Sequence, residues 1–373
     1  MRPEGEPQAP GPGASTPEPG GESESGGRQP GGVSESVGRQ PGGVSIVAKL
    51  RPFLPYATLA WAIGSALLMN RKPERAWLVA VAVGVGWLFL AGAVLLQRRP
   101  TAHVHGRLVR YSATAGTQGL MQMTLFFVLP FYWLSAAPIL AHRVFLGVLG
   151  TICALTLWDP LFQRLFARPY FALPLMATTS FVGLLAALPF LGLSHATSLW
   201  TATAVTAAGV PLVALATAPP EGRRRALVVA LVVASLLPLS VYKGAVRWVP
   251  PAPLRLMDGG LGADVDRKAR VLIGVATEFE TPPEQLYCFT AIQAPLGLHE
   301  QVFHDWSRDG NAVFRATLDV GGNRVGAWRT WSYITPHGAG RYQCDVVTST
   351  GQTLGRMSAS INERAEGASR AGD

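Results

Sequence analysis

The stretch RRRALVVALVVASLLPLSVYKGAVRWVPPAPLRLMDGGLG, residues 223–262, decides how the rest of the chain is read. Three arginines precede an apolar run at 226–246, Lys243, Arg247 and Trp248 mark its far end, and Pro- and Gly-rich sequence follows. About 20 mostly apolar residues suffice to cross a ~30 Å hydrocarbon core. The run therefore reads as a membrane span whose basic start stays in the cytoplasm and whose amphipathic end anchors at the opposite interface. Residues 248–263 read as a linker, so everything after them is expected outside the cytoplasm.

Upstream, six further runs approach spanning length: 53–69, 76–96, 113–134, 139–158, 170–191 and 196–218. The first is short and the junction at 135–138 is tight, so the expectation is about seven helices within residues 46–247. Loop charges agree on orientation. Arg98, Arg99, Arg107 and Arg110 follow the second run, Arg164 and Arg168 the fourth, and Arg223, Arg224 and Arg225 the sixth. Arg71, Lys72 and Arg75 dissent if the first run spans. Residues 1–45 hold Pro, Gly, Ser and Glu with little to bury, which predicts a disordered cytoplasmic tail. Within it residues 24–34 are repeated at 35–45 with Gly26 replaced by Val37, a polar duplication too short for a solenoid. Residues 363–373 are expected to form a second disordered tail.

Downstream, the hydrophobic period changes to two. Ala312, Phe314, Ala316, Leu318 and Val320 alternate with Val313, Arg315, Thr317 and Asp319, the pattern of a half-buried strand. Seven strands are predicted, at 270–279, 285–293, 300–306, 312–320, 327–334, 340–348 and 353–361. The turn signals Asp309-Gly310 and Gly321-Gly322 lie between them. Seven short strands in about 100 residues, 264–362, point to a two-sheet sandwich. Cys288, Trp306, Tyr342 and Cys344 fall on the second, third and sixth strands in the order of an immunoglobulin domain. Cys288 and Cys344 are expected to bridge in an oxidising compartment; two free core cysteines are the alternative. Cys153 lies in an apolar run as a small hydrophobe.

Enzyme motifs fail on spacing. His299-Glu300 is followed by His304 one residue too late for a zinc-protease helix, and His304, Asp305 and Ser307 stand too close together for a triad. Gly84-x-Gly86 lacks its third glycine, and His103-x-His105 lacks thiol or carboxylate partners. No cofactor or metal is expected. The net charge of +9 resides largely in membrane loops, without an aromatic-interleaved basic stripe, so nucleic acid is not an expected partner. Gln118 and Gln122 share a helical face inside the membrane, where helix-packing glue competes with a pathway lining. Asp159-Pro160 reads as a helix cap, with a proton relay as its sharper alternative. In the block Trp328-Arg329-Thr330-Trp331-Ser332, Arg329 and Trp331 share one strand face, as do His304 and Trp306 in their own strand. These four form the expected ligand surface, able to stack on a sugar or receive an anion. Core packing is the competing role.

The segment from Tyr287-Cys288-Phe289 through Val302–Gly310 to the Trp-Arg-Thr-Trp-Ser block, then Gly340 and Gly351, resembles a bacterial domain of unknown function, family 2914. The preceding membrane region, with its Phe126–Tyr132 motif, is similar to the helical part that accompanies that domain, family 5924. The resemblance implies a membrane-anchored extracytoplasmic module and brings no activity.

The expected protein is thus a bacterial inner-membrane protein: a multi-pass α-helical domain followed by an Ig-like β-sandwich in the periplasm. Its expected role is binding or sensing of an envelope glycan or protein. The alternative is a transporter or membrane enzyme for lipid-linked substrates, with the β domain as accessory.

Overall fold

The computed structural model describes residues 105–166, 168–322 and 326–362, with isolated helical positions at 56, 60 and 64. The two tails, the rest of the run at 53–69, the run at 76–96, and His103 lie outside the described residues. Six α-helices are described: α1 (His105–Ser135), α2 (Leu140–Leu157), α3 (Asp159–Phe166), α4 (Pro169–Ala187), α5 (His195–Thr217) and α6 (Arg223–Tyr242). Four segments are long and apolar enough to cross a membrane, Leu140–Leu157, Tyr170–Leu191, His195–Leu215 and Pro220–Tyr242. The expected count of about seven is therefore not reached among the described residues. α1 contains the run at 113–134 but buries Thr117, Gln118, Gln122 and Thr124 along it.

Local chemistry sets the helix ends. Between α1 and α2 the Ala137 N–H donates to His142 Nδ1 at 2.9 Å, closing the tight junction read at 135–138. Ser194 caps α5 by accepting from the Thr197 N–H. Leu125, Val128, Tyr132, Leu185 and Ala202 fill the bundle core, whereas Leu212, Val228, Leu231 and Leu236 stay exposed, the all-round apolarity of helices facing lipid. Exposed Trp158, Tyr170 and Phe171 mark one end of the bundle, and exposed Trp133, Tyr242 and Trp248 the other, as in the aromatic belts of membrane proteins.

Nine strands follow among the described residues: β1 (Arg255–Asp266), β2 (Val271–Val275), β3 (Glu278–Phe279), β4 (Leu286–Gln293), β5 (His299–Arg308), β6 (Asn311–Gly321), β7 (Trp328–Ile334), β8 (Gly340–Thr348) and β9 (Thr353–Ile361). They form a first sheet ordered β2-β1-β4-β7 and a second ordered β3-β9-β8-β5-β6. β3 runs parallel to β9, and the other pairings are antiparallel. Leu261, Leu286, Cys288, Trp306, Tyr342 and Cys344 pack together between the sheets, with Leu254, Ile292, Leu298, Val302 and Val346 in an adjoining cluster.

The linker expected at 248–263 is corrected. Val249 and Ala252 belong to the core of the helical bundle, Leu254 to that of the sheets, and β1 starts at Arg255. Glycines that read as part of the linker are strand residues with close neighbours. A Cβ on Gly262 would meet the Ile273 carbonyl oxygen at 2.6 Å, so only glycine fits there. The β domain thus begins near Leu254 rather than 264, and the strand expected at 270–279 is divided into β2 and β3.

Candidate functional site

The four residues expected on one ligand surface occupy two separate places. His304 and Trp306 point between the sheets and are buried. Trp306 pairs across strands with Cys344, which is disulfide-bonded to Cys288 with the Cα atoms 6.5 Å apart. Tyr342, two residues before Cys344, donates its hydroxyl to the Gly338 carbonyl at 3.1 Å. Trp306 Nε1–H donates to Ser332 Oγ at 2.9 Å, leaving the Ser332 hydroxyl proton for His304 Nδ1 at 2.9 Å. His304 Nε2 then carries the proton toward Thr290 Oγ1 at 3.2 Å, so every polar group is satisfied with the imidazole neutral. Burial lowers the His304 pKa to about 4, outweighing the opposite pull of Asp305. Cys288, His304 and Cys344 place their ligand-type atoms within 4.8 Å of one another, but the two sulfurs are consumed by the disulfide. His304 and Trp306 are therefore corrected from ligand contacts to core.

Arg329 and Trp331 lie on the outer face of the first sheet, Arg329 exposed and Trp331 half-buried, beside an exposed Tyr333. Their cross-strand partners Ala291, Phe289 and Tyr287 are buried although they also point outward. Something covers them. Arg329 Nη1 donates to the carbonyls of Ala269 and Arg270 at 3.3 and 3.4 Å, and the Leu272 side chain lies against Gly260 and Gly262. A straight β1–β2 hairpin would carry residues 269–272 past the end of the sheet. These contacts mean that it folds back over the outer face and sets its tip above Arg329.

A third constellation joins the two domains. The His195 backbone N–H, in the first turn of α5, donates to Glu300 Oε2 at 2.7 Å, and the Ser349 hydroxyl donates to Glu300 Oε1 at 2.5 Å. His195 Nε2 meets Gln352 Oε1, and Gln352 Nε2 donates to the Val249 carbonyl at 2.8 Å. His195, Glu300 and Gln352 are all buried. A carboxylate from β5 thus sits at the helix N-terminus, where backbone N–H groups and the helix dipole favour negative charge. Sequence reading placed Glu300 only in a failed zinc motif. Its partner lies 105 residues away, a separation at which no local pattern shows a pairing.

Within the helical bundle, Gln118 donates to the Thr156 carbonyl at 2.9 Å and Gln122 to the same oxygen. That carbonyl belongs to the last turn of α2, so both amides tie α1 to α2, which is the packing role. α3 begins at Asp159. A cavity of about 60 Å³ lies between α4 and α5, lined by Leu173, Met176, Ser180, Thr206 and Gly209 among others.

Residues 42–281 match the model of a family described as Family of unknown function (DUF5924), and residues 299–361 match that of Protein of unknown function (DUF2914). No curated protein matches the chain. The first match runs through β1, β2 and β3, the second covers β5 to β9, and β4 with Tyr287-Cys288-Phe289 falls between them. One folded β domain is therefore shared between the two family models.

Proposed function

This chain belongs to the DUF5924 family of unknown function, and we propose that it is a bacterial inner-membrane binding or sensing protein for an envelope glycan or protein. The observation that carries the reading is the junction of buried His195, Glu300 and Gln352, with Ser349 at its edge. A domain on a flexible tether would leave the helices indifferent to its ligand. One docked through buried hydrogen bonds couples the two energetically. The N-terminus is cytoplasmic and the β domain extracytoplasmic. Supporting this, Arg164 and Arg168 lie at the α3–α4 end of the bundle and Arg223, Arg224 and Arg225 at the start of α6. By helix connectivity both sites are opposite the end that meets the sheets, as the excess of basic residues in cytoplasmic loops requires. The disulfide, the packed Trp306 and the Tyr342 corner support an Ig-like sandwich. Half-buried Trp331 and exposed Tyr333, on the outer face of the first sheet, offer the ligand face. The transporter or enzyme alternative is less supported, because Gln118 and Gln122 are engaged in helix packing.

The full chain, purified in mild detergent from native membranes, should retain an envelope glycan or peptide identifiable by mass spectrometry. Adding that molecule back should slow hydrogen exchange at the start of α5. In Glu300→Ala the molecule should still bind while the helix no longer responds. Retention of a lipid-linked compound that protects α1 and α2 instead would replace this reading with the alternative. Orientation is tested separately: alkaline phosphatase fused after Asp373 should be active and the same reporter at Gly222 inactive.

A further inference from the structure

The folded-back hairpin has a tip that the ligand reading does not use. Arg267, Lys268 and Arg270 are exposed there and, among the described residues, form no ion pair. The adjacent carboxylate is occupied with backbone, since Asp266 Oδ1 accepts the Lys268 and Ala269 N–H groups at 2.8 and 2.9 Å. Arg270 takes a left-handed conformation, φ 52°, as the chain reverses. Beyond it Val271 and Ile273 expose their side chains on the outside of β2. The tip combines clustered positive charge with aliphatic surface.

Its height above the helices follows from the register. Arg329, which holds the tip, pairs with Ala291, and Ala291 pairs with Asp258. Asp258 stands roughly 10 Å along β1 from Arg255 at about 3.4 Å per residue. Arg255 in turn closely follows Trp248, which is exposed at the end of the bundle that meets the sheets. The β8–β9 turn rests on that same end, because Gln352 donates to the Val249 carbonyl. β1 rises from the helices, the hairpin folds back near Gly262, and its tip returns toward the level where the helices emerge. Headgroups occupy roughly 5–8 Å on each side of the hydrocarbon core, and arginine and lysine side chains extend far enough to close the remaining gap.

We propose that the β1–β2 hairpin tip, through Arg267, Lys268 and Arg270 with Val271 and Ile273 beside them, rests on the anionic phospholipid headgroups of the bilayer that the helices cross. Charge complementarity selects the occupant: three cations without an ion pair among the described residues face a surface whose anionic lipids carry one phosphate each, and the aliphatic pair suits the interface beneath. The inference goes beyond the ligand reading and holds whichever side of the membrane the domain occupies.

The test is hydrogen exchange at 263–277 in the full chain, in lipid nanodiscs of phosphatidylcholine alone or mixed equally with phosphatidylglycerol. Both faces of a disc are open to solvent, so an error in the proposed orientation leaves this result unaffected. The mixed discs should slow exchange around the tip by at least about fivefold, the ratio equivalent to the ~1 kcal/mol of one basic residue near an anionic surface. The slowing should disappear in high salt and in the Arg267→Gln, Lys268→Gln, Arg270→Gln variant. Unchanged exchange in β4 and β8 of that variant would show that its fold is kept; if it is not, the salt comparison on wild type decides. Equal exchange in the two discs overturns the proposal. So does slowing in neutral discs on adding inorganic phosphate, which would mark a site for a free anion.

Discussion

On the outer face of the second sheet, charges are paired side by side in water. On the outer face of the first, the chain folds back and covers aromatic side chains with its own hairpin. The row Arg315, Asp305, Asp345, Arg356 crosses four strands in register and is joined by two guanidinium–carboxylate forks. The corresponding positions of the first sheet are glycine on β1, Tyr287 and Phe289 on β4, and Trp331 and Tyr333 on β7. Both faces have the same strand period and the same exposure in an isolated sheet. What separates them is a tertiary cover, and the cover brings its basic tip to the base of the domain.

The sharpest way to break this contrast is Phe289→Ala. If the hairpin makes the outer face of the first sheet a second core, removing a buried phenyl ring should cost about 3–5 kcal/mol. Denaturant dependence of hydrogen exchange in β4 of the full chain, in detergent, measures it. A loss below about 1 kcal/mol would mean that the hairpin is not a stable cover, because an exposed aromatic contributes little.

Next comes acid. His304 lies between the two faces, neutral, with its pKa lowered by burial from 6.5 to about 4. Between those values the unfolded chain binds a proton that the folded domain refuses, so stability falls as the pH drops from about 6.5 to about 4. The slope is about 1.4 kcal/mol per pH unit and the total is on the order of 3 kcal/mol. Acidification protonates Nδ1, which now receives the Ser332 hydroxyl proton. Full-length wild type and His304→Gln, melted across this window, should converge as the pH falls, the variant being less pH-sensitive. Parallel curves would remove His304 as the cause.

How much of this was legible in the sequence depends on the range of the interaction. The alternation at 312–320 gives β6 almost to its ends, and the Cys288, Trp306, Tyr342, Cys344 spacing anticipates residues that now pack between the sheets. Periodicity sorts a strand into two faces without saying which one is inward. That is why the strand period groups His304 and Trp306 with Arg329 and Trp331, although one pair is core and the other lies on the far side of the opposite sheet. The Asp-Gly-Gly-Leu-Gly run carries the composition of a linker, and only the return of Ile273 over Gly262 reveals why side chains are missing there. The Glu300 junction joins residues from different domains, and no period or local motif encodes it.

The smallest effect belongs to the solvated face. Arg356 donates from Nε and Nη2 to Asp345 at 2.7 and 2.8 Å, and that hydrogen bonding raises its pKa. Arg356 is about half exposed, however, so solvent screens the pair, and Arg356→Ala should cost less than about 1 kcal/mol. Part of that loss is repulsion uncovered rather than attraction removed, because Asp345 stands directly across the strands from Asp305. Combining Arg356→Ala with Asp345→Asn should therefore recover part of the loss, and high salt should shrink the effect of Arg356→Ala while leaving that of Phe289→Ala in place. Exchange-derived stabilities of the single and double variants at two salt concentrations supply the comparison. An Arg356→Ala loss as large as that of Phe289→Ala and indifferent to salt would mean that the second face is also held by burial, and the contrast between the two faces would be gone.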